Sequence, residues 1–331
     1  MSQTKTRFAL VGAGGIGHAY AQSFSQCQHA SLVAVADVSD EAAKTLGDKA
    51  GVPAFGSVDA LLKSEVDFDA TIVCTPPNDH EDTCCQLMAA GKHVLCEKPL
   101  SIYPTSARRM IAVSQENDVQ LTMASKFRCV SDVKKAKEIL DSGTIGDLIL
   151  FENAFTSFVD MSGRWNSNPV VSGGGVLIDN GTHSLDLARF FMGPLHEVQV
   201  IEGKRIQRLP VDETITIFVR NREGAMGRMD LSWTINKNLP DYITIHGTKG
   251  TLSLGWQKSS YRIGDDDWVD FGSGYDKIGA FQTQLDNFAL ALQGEEELII
   301  KPEDGLASVI AVEVAYDSLM RNNWVQLASP V

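Results

Sequence analysis

The chain has no long uninterrupted apolar run, no cluster of basic residues and no paired-cysteine pattern, and each absence closes off a class of function. Without a stretch near 20 apolar residues there is no candidate transmembrane helix. The segment Met1–Arg7 is polar and leads straight into an apolar run, without the basic, apolar and small-residue layout of a signal peptide. A cytoplasmic location is therefore expected. Lysine and arginine number 29 against 42 acidic residues, a formal net charge of -13, which leaves nothing to neutralise a row of phosphates. The expected partners accordingly exclude nucleic acid and membrane. The six cysteines, at 27, 74, 84, 85, 96 and 129, form no CxxC pair and no interleaved histidine pattern of metal-ligand spacing. Cys84 and Cys85 are adjacent, and helical neighbours point about 100° apart, so they cannot converge on one ion. No metal site is expected, and the thiols read as buried and reduced.

Its 331 residues suffice for two cores. In the first portion, apolar runs at Phe8–Val11, Leu32–Ala36, Thr71–Cys74, Val94–Cys96 and Leu121–Ala124 alternate with helical spacing at Ile16–Ser25, Asp40–Asp48, Asp79–Ala90 and Thr105–Glu116. This pattern predicts an α/β fold, a doubly wound parallel sheet covered on both faces. After Lys126 the rhythm changes. Helices are expected at Asp132–Asp141 and Val176–Met192. Strands are expected at Leu148–Phe155, Val198–Gly203, Thr214–Val219, Met226–Trp233, Tyr242–Gly247 and Thr251–Leu254, with two further helices at Phe281–Leu292 and Glu303–Leu319. These make a second, α+β domain on a large, open, mostly antiparallel sheet. The division is placed at 1–126 and 127–331, with a C-terminal helix allowed to pack back on the first domain.

Gly12-Ala13-Gly14-Gly15-Ile16-Gly17 is a GxGxxG run between a strand and a helix, and Asp37 ends the next strand. Gly12 permits the tight turn, Gly14 lets backbone approach a pyrophosphate, Gly17 lets helix and strand pack closely, and the helix N-terminus favours the anion. Asp37 would accept from the adenosine ribose hydroxyls and repel a 2′-phosphate. No basic residue follows it before Lys44, so NAD is expected over NADP.

Two further motifs carry candidate chemistry. Glu97-Lys98-Pro99 follows the Val94–Cys96 strand and thus lies at the carboxyl edge of the sheet, where ligands bind in open α/β folds. An isolated lysine there is commonly a solvated ion-pair partner, but Pro99 restricts it to a defined turn. In Gly173-Gly174-Gly175-Val176-Leu177-Ile178-Asp179-Asn180-Gly181-Thr182-His183-Ser184-Leu185-Asp186, Asp179 and His183 are four apart and share one helical face, with Asp186 three further on. A histidine between two carboxylates, behind three glycines that permit close approach, is an acid/base candidate rather than ordinary core.

Together with Thr75-Pro76-Pro77-Asn78-Asp79-His80, the GxGxxG run, Glu97-Lys98-Pro99 and GGGxLxDxGxHxxD resemble the glucose–fructose oxidoreductase, inositol dehydrogenase and MocA family over essentially the whole chain. The resemblance implies an NAD-dependent oxidoreductase acting on a secondary alcohol or ketone of a sugar, cyclitol or sugar derivative. It implies that Lys98 hydrogen-bonds the reacting hydroxyl, that His183 exchanges its proton and that Asp179 orients the substrate. Gly12, Gly14, Gly15, Ile16, Gly17, Asp37, Thr75, Pro76, Asn78, His80, Glu97 and Lys98 would contact the cofactor. Lys126, Arg128, Arg164 and Trp165 fall near substrate-side positions, although Cys129 and a missing proline alter the usual pattern around the first two. A homodimer or homotetramer built through the C-terminal sheet is expected. Two other readings share the fold: a glycosidase that retains NAD through turnover, and a non-catalytic sugar sensor.

Overall fold

The computed structural model describes residues 5–327. The first half runs β1 (Thr6–Val11), α1 (Gly15–Ser23), β2 (Ala30–Ala36), α2 (Asp40–Ala50), β3 (Ala54–Phe55), α3 (Val58–Leu62), β4 (Ala70–Val73), α4 (His80–Ala89), β5 (His93–Glu97), α5 (Pro104–Glu116) and β6 (Leu121–Ala124). These six strands pair in parallel in the order β3-β2-β1-β4-β5-β6. This is the doubly wound arrangement, in which the strand order reverses beside β1 and opens a crevice at the strands' carboxyl ends. Parallel pairing buries both faces, and β4 and β6 are buried at every residue, which explains why they read as unbroken apolar runs.

The chain continues through α6 (Ser131–Asp141), β7 (Leu148–Thr156), α7 (Pro169–Ser172), α8 (Val176–Met192), β8 (Leu195–Glu202), β9 (Thr214–Asn221), β10 (Met226–Ser232), β11 (Asp241–Gly247), β12 (Gly250–Gly255), β13 (Ser259–Ile263), β14 (Val269–Gly272), α9 (Lys277–Leu292), α10 (Pro302–Arg321) and β15 (Val325–Gln326). Nine of its strands form one sheet, β14-β13-β12-β11-β7-β10-β9-β8-β15. Every pairing is antiparallel except β7 with β10, which are 70 or more residues apart in sequence and run parallel. Along β9 the buried Ile215, Ile217 and Val219 alternate with more accessible residues, the period-two signature of a sheet covered on one face. α8 packs on this sheet, with the buried Phe151, Phe191, Met229 and Leu231 between.

Two compact units result, each built from two stretches of the chain. One comprises Met1–Cys129 with Lys277–Leu306, the other Val130–Asp276 with Ala307–Val331. α9 therefore belongs with the parallel sheet. Its Phe281, Leu285, Phe288 and Ala289 enter the apolar cluster formed by Phe8, Tyr20, Phe24 and Leu46, with Phe8 and Phe288 rings 6.1 Å apart. An amphipathic helix shows which of its faces is apolar but not which surface it covers. Among the described residues no helix is long and apolar enough to cross a membrane.

Candidate active site

In the first unit, the glycine loop divides into positions that are packed and positions that are open. A side chain on Gly12 would have its Cβ 2.6 Å from the carbonyl carbon of Cys74, and the residue adopts φ +100°, so glycine is required there. On Gly17 it would lie 2.2 Å from the Gly12 carbonyl oxygen. Gly14 and Gly15, in contrast, have nothing within 4 Å of such an atom. Gly14 is the N-cap of α1, whose first turn carries no acidic residue and no side-chain cap. The open loop, the uncapped helix end and the positive pole of the helix fit a bound pyrophosphate. Asp37 braces this loop, accepting from the Ala13 amide at 2.6 Å and the Ser39 amide at 2.8 Å. A carboxylate so engaged keeps acceptor sites for ribose hydroxyls.

The next two segments at this sheet edge are tied together by a residue expected to line the cofactor. His80 is fully buried at the start of α4; Nδ1 lies 2.8 Å from the Pro99 carbonyl and Nε2 2.8 Å from that of Thr75. Burial pushes its pKa down, while both carbonyls favour the protonated ring. His80 is thus a clasp between two loops rather than a surface group, while Thr75 and Pro76 are half-buried and Asn78 is exposed. The Lys98–Pro99 peptide is cis. Glu97 is also buried: one oxygen accepts from Tyr20 at 3.0 Å and the other from the Lys98 amide at 3.0 Å. Gln284 of α9 donates to the Tyr20 hydroxyl at 2.8 Å, completing a chain that fixes the backbone of Lys98. Burial raises the Tyr20 phenol well above its ordinary value, so it serves as a neutral donor.

The two basic residues after β6 part company. Lys126 is half-buried with its ammonium 5.4 Å and 5.8 Å from the Phe127 and Phe281 rings. Arg128 is 5% exposed and ion-paired with Asp304 at 3.4 Å.

In the second unit, the loop bearing Arg164 and Trp165 is exposed, Trp165 opening a short 3-10 turn. In the glycine run that follows, Gly174 and Gly175 are packed solid. A Cβ on Gly174 would meet the Tyr316 hydroxyl at 2.0 Å, and one on Gly175 the Asp212 carbonyl oxygen at 1.9 Å. Asp212 closes the N-terminus of α8: its carboxylate accepts from the Gly175 amide at 3.1 Å, the Leu177 amide at 2.7 Å and the Tyr316 hydroxyl at 2.9 Å. Burial pushes the Asp212 carboxyl pKa up against these donors. So anchored, α8 presents a half-buried Asp179 and, one turn on, a buried His183. The Phe155 ring meets the His183 imidazole edge-on at 6.5 Å. Asp186, on the same stripe, is fully buried and accepts from Ser308 at 3.3 Å, a packed position. Among the described residues no three His, Cys, Asp or Glu side chains converge as a metal site would require.

Tyr20, Gln284, Asp212 and Tyr316 carry no motif of their own and were not expected. Tyr20 shares a helix with the glycine loop, but its partners lie 77 and 264 residues away.

The fold and these motifs define a nicotinamide-cofactor oxidoreductase with a NAD-binding Rossmann domain. Residues 6–125 match the oxidoreductase family with NAD-binding Rossmann fold, and residues 133–253 match the GFO/IDH/MocA C-terminal domain. The chain belongs to the GFO/IDH/MocA oxidoreductase family. It is 26% identical to a myo-inositol 2-dehydrogenase of Thermotoga maritima, covering 97% of this chain and 98% of that protein. Among solved structures it resembles an aldose-aldose oxidoreductase from Caulobacter crescentus complexed with glycerol (TM-score 0.90, 23% identity, 98% of this chain and 100% of that one). A levoglucosan dehydrogenase with NADH and levoglucosan is similar at TM-score 0.89 and 18% identity, covering 98% and 100% of the two chains.

Proposed function

We propose that the protein is an NAD-dependent dehydrogenase of CH–OH donors, interconverting a secondary alcohol and ketone on a sugar, cyclitol or sugar derivative. The observation that carries this reading is α8, a helix locked by Asp212 that holds an imidazole one turn beyond a carboxylate. Removing a hydroxyl proton near neutral pH needs a base poised there, as imidazole is, and a cation to stabilise charge growing on the oxygen. His183 takes the proton, Lys98 supplies the cation, and Asp179 orients the hydroxyl.

Bound NAD would supply the hydride acceptor. Gly12 to Gly17 and the α1 N-terminus would hold its pyrophosphate; Asp37 would accept from the ribose and disfavour a 2′-phosphate. Thr75, Pro76 and Asn78 line the cofactor segment, which His80 and Glu97 keep in register with Lys98. Arg164, Trp165 and Lys126 are reserved for substrate contacts. Assembly as a homodimer or homotetramer through the nine-stranded sheet belongs to the same proposal and is checked by light scattering.

The test offers the protein NAD, and separately NADP, with a panel of inositols, aldoses and sugar derivatives while following NADH absorbance. Turnover with NAD and one polyol class is expected. His183→Ala should then lower kcat about 100- to 10,000-fold with NADH affinity unchanged. Equal activity in that variant would sink the role given to His183.

A further inference from the structure

Residues 157–175 join β7 to α8 and carry Arg164 and Trp165 between them. The far end of this segment is closed by Asp212, whose carboxylate accepts from the Gly175 amide where α8 begins. The near end leaves β7 beside the same helix: the Phe155 carbonyl accepts from the Asn180 side chain at 3.4 Å, and the Phe155 ring meets His183. The segment is thus a loop that starts and finishes at the helix bearing Asp179 and His183.

The near end is gripped by Gln207, a half-buried residue that no motif marks. Its side-chain nitrogen donates to the Val159 and Trp233 carbonyls, both at 3.0 Å, and its side-chain oxygen accepts from the Met161 amide at 3.0 Å. Met161 is buried, and its carbonyl accepts from the Arg164 amide at 3.2 Å, so the hold passes straight to Arg164. Gln207 is set in turn by Glu213. That carboxylate is buried and accepts from the Gln207 amide at 3.0 and 2.9 Å with its two oxygens, and from the Thr234 hydroxyl at 2.6 Å. The Ile206 and Arg208 amides donate to it as well. Arg208 adopts φ +58°, a conformation that a non-glycine residue keeps only where its surroundings over-determine it. Three successive amides aimed at one anion make a backbone nest, filled here by the protein's own carboxylate. Burial acts to raise the Glu213 carboxyl, but these donors outweigh it and hold the pKa below the usual range, whereas burial prevails at the adjacent Asp212.

We propose that Gln207 and Glu213 are positioning residues for substrate binding: they fasten residues 157–164 so that Arg164 and Trp165 meet substrate from a fixed loop, while Asp212 holds the other end of the same segment. This rests on the dehydrogenase reading and on the substrate role given there to Arg164 and Trp165. A loosened loop has to be ordered afresh at each binding event, which raises KM, whereas Lys98, Asp179 and His183 stay in place and kcat is kept.

The test uses the full chain. Gln207→Met removes the donors and the acceptor at nearly constant bulk, and the variant is followed by hydrogen exchange and by steady-state kinetics with NAD and the most rapidly oxidised member of the panel of inositols, aldoses and sugar derivatives. Faster exchange across 157–164 is expected, with KM for the polyol about tenfold higher and kcat and NADH affinity within about twofold of native. Glu213→Gln, a second route to the same loosening, should give the same split between KM and kcat. In a Trp165→Ala background Gln207→Met should raise KM by less than it does in the native protein, because part of what the loop delivers is already gone. Unchanged exchange, an unchanged KM, or a joint fall in kcat and NADH affinity overturns the proposal, and so does full additivity with Trp165→Ala. Failure of the dehydrogenase reading looks different: the native protein itself then forms no NADH, and the substrate role of the loop falls with it.

Discussion

The protein uses two glycine-rich turns into helices, and they do opposite things. Before α1, Gly14 and Gly15 face open space and the helix end is left uncapped. Before α8, Gly174 and Gly175 are pressed against Tyr316 and Asp212, and the helix end is closed by the protein's own carboxylate. Both obey the same electrostatics, since the first-turn amides and the helix dipole favour an anion. One end waits for an anion from solution, which suits a cofactor site. The other is satisfied internally, which suits a helix that holds the proposed acid/base side chain still. A run of glycines thus indicates close approach, while only the neighbours decide whether a ligand or the protein makes it.

The sharpest way to break this contrast is to add one methyl group at each turn. Gly175→Ala drives a Cβ into the Asp212 carbonyl and should cost about 3 kcal/mol or more, with the loss seen in thermal melts. Gly14→Ala, at φ -75° in open space, should leave the melting temperature nearly unchanged while weakening NADH binding, read by fluorescence titration. If both variants merely destabilise, the distinction between open and closed turns fails.

A smaller effect is expected from emptying the closed end. Asp212→Ala leaves the Gly175 and Leu177 amides and the Tyr316 hydroxyl without their acceptor and should cost about 2–3 kcal/mol by denaturant unfolding. NADH affinity, a property of the other unit, should not change.

Acid provides the mildest discriminator. Asp69 in the first unit is held below the usual carboxylate range, chiefly by the hydrogen bond from the Arg7 side chain. A depressed carboxyl contributes stability that is present above its unfolded value of about 3.9 and lost as pH falls through the lower folded value. Asp212 has the opposite sign. Its pKa is raised by burial, so its contribution is fullest at low pH and declines as pH rises through the folded value. Asp69→Asn should therefore flatten the acid limb of a stability profile below about pH 4, and hydrogen exchange should place the change in the first unit. An unchanged acid limb would show that the Arg7 pair does not contribute.

Much of the architecture could be read because it rests on local regularities. The strand runs from Phe8 to Ala124, the helix bearing Asp179 and His183, and the spacing from Gly12 to Asp37 all follow from periods of two and 3.6 residues and from backbone demands at single glycines. What escaped depends on partners distant in sequence. The short β3 and β15, of two residues each, carry too little pattern to detect. Sequence marked Arg128 as basic, but its pairing with Asp304 gave no local sign. Likewise the burial of His80 between two carbonyls left no local sign in the sequence.

The sequence by itself determined the two layers of the fold and the candidate chemistry, because hydrophobic period and residue type act over a few neighbours. Only the tertiary structure decided which side chains are braces and which are left open. It joined Tyr20 to Gln284 across 264 residues and Asp212 to Tyr316 across 104. Contacts at such range arise from how helices and sheets pack, and packing leaves no period in the chain for sequence to reveal.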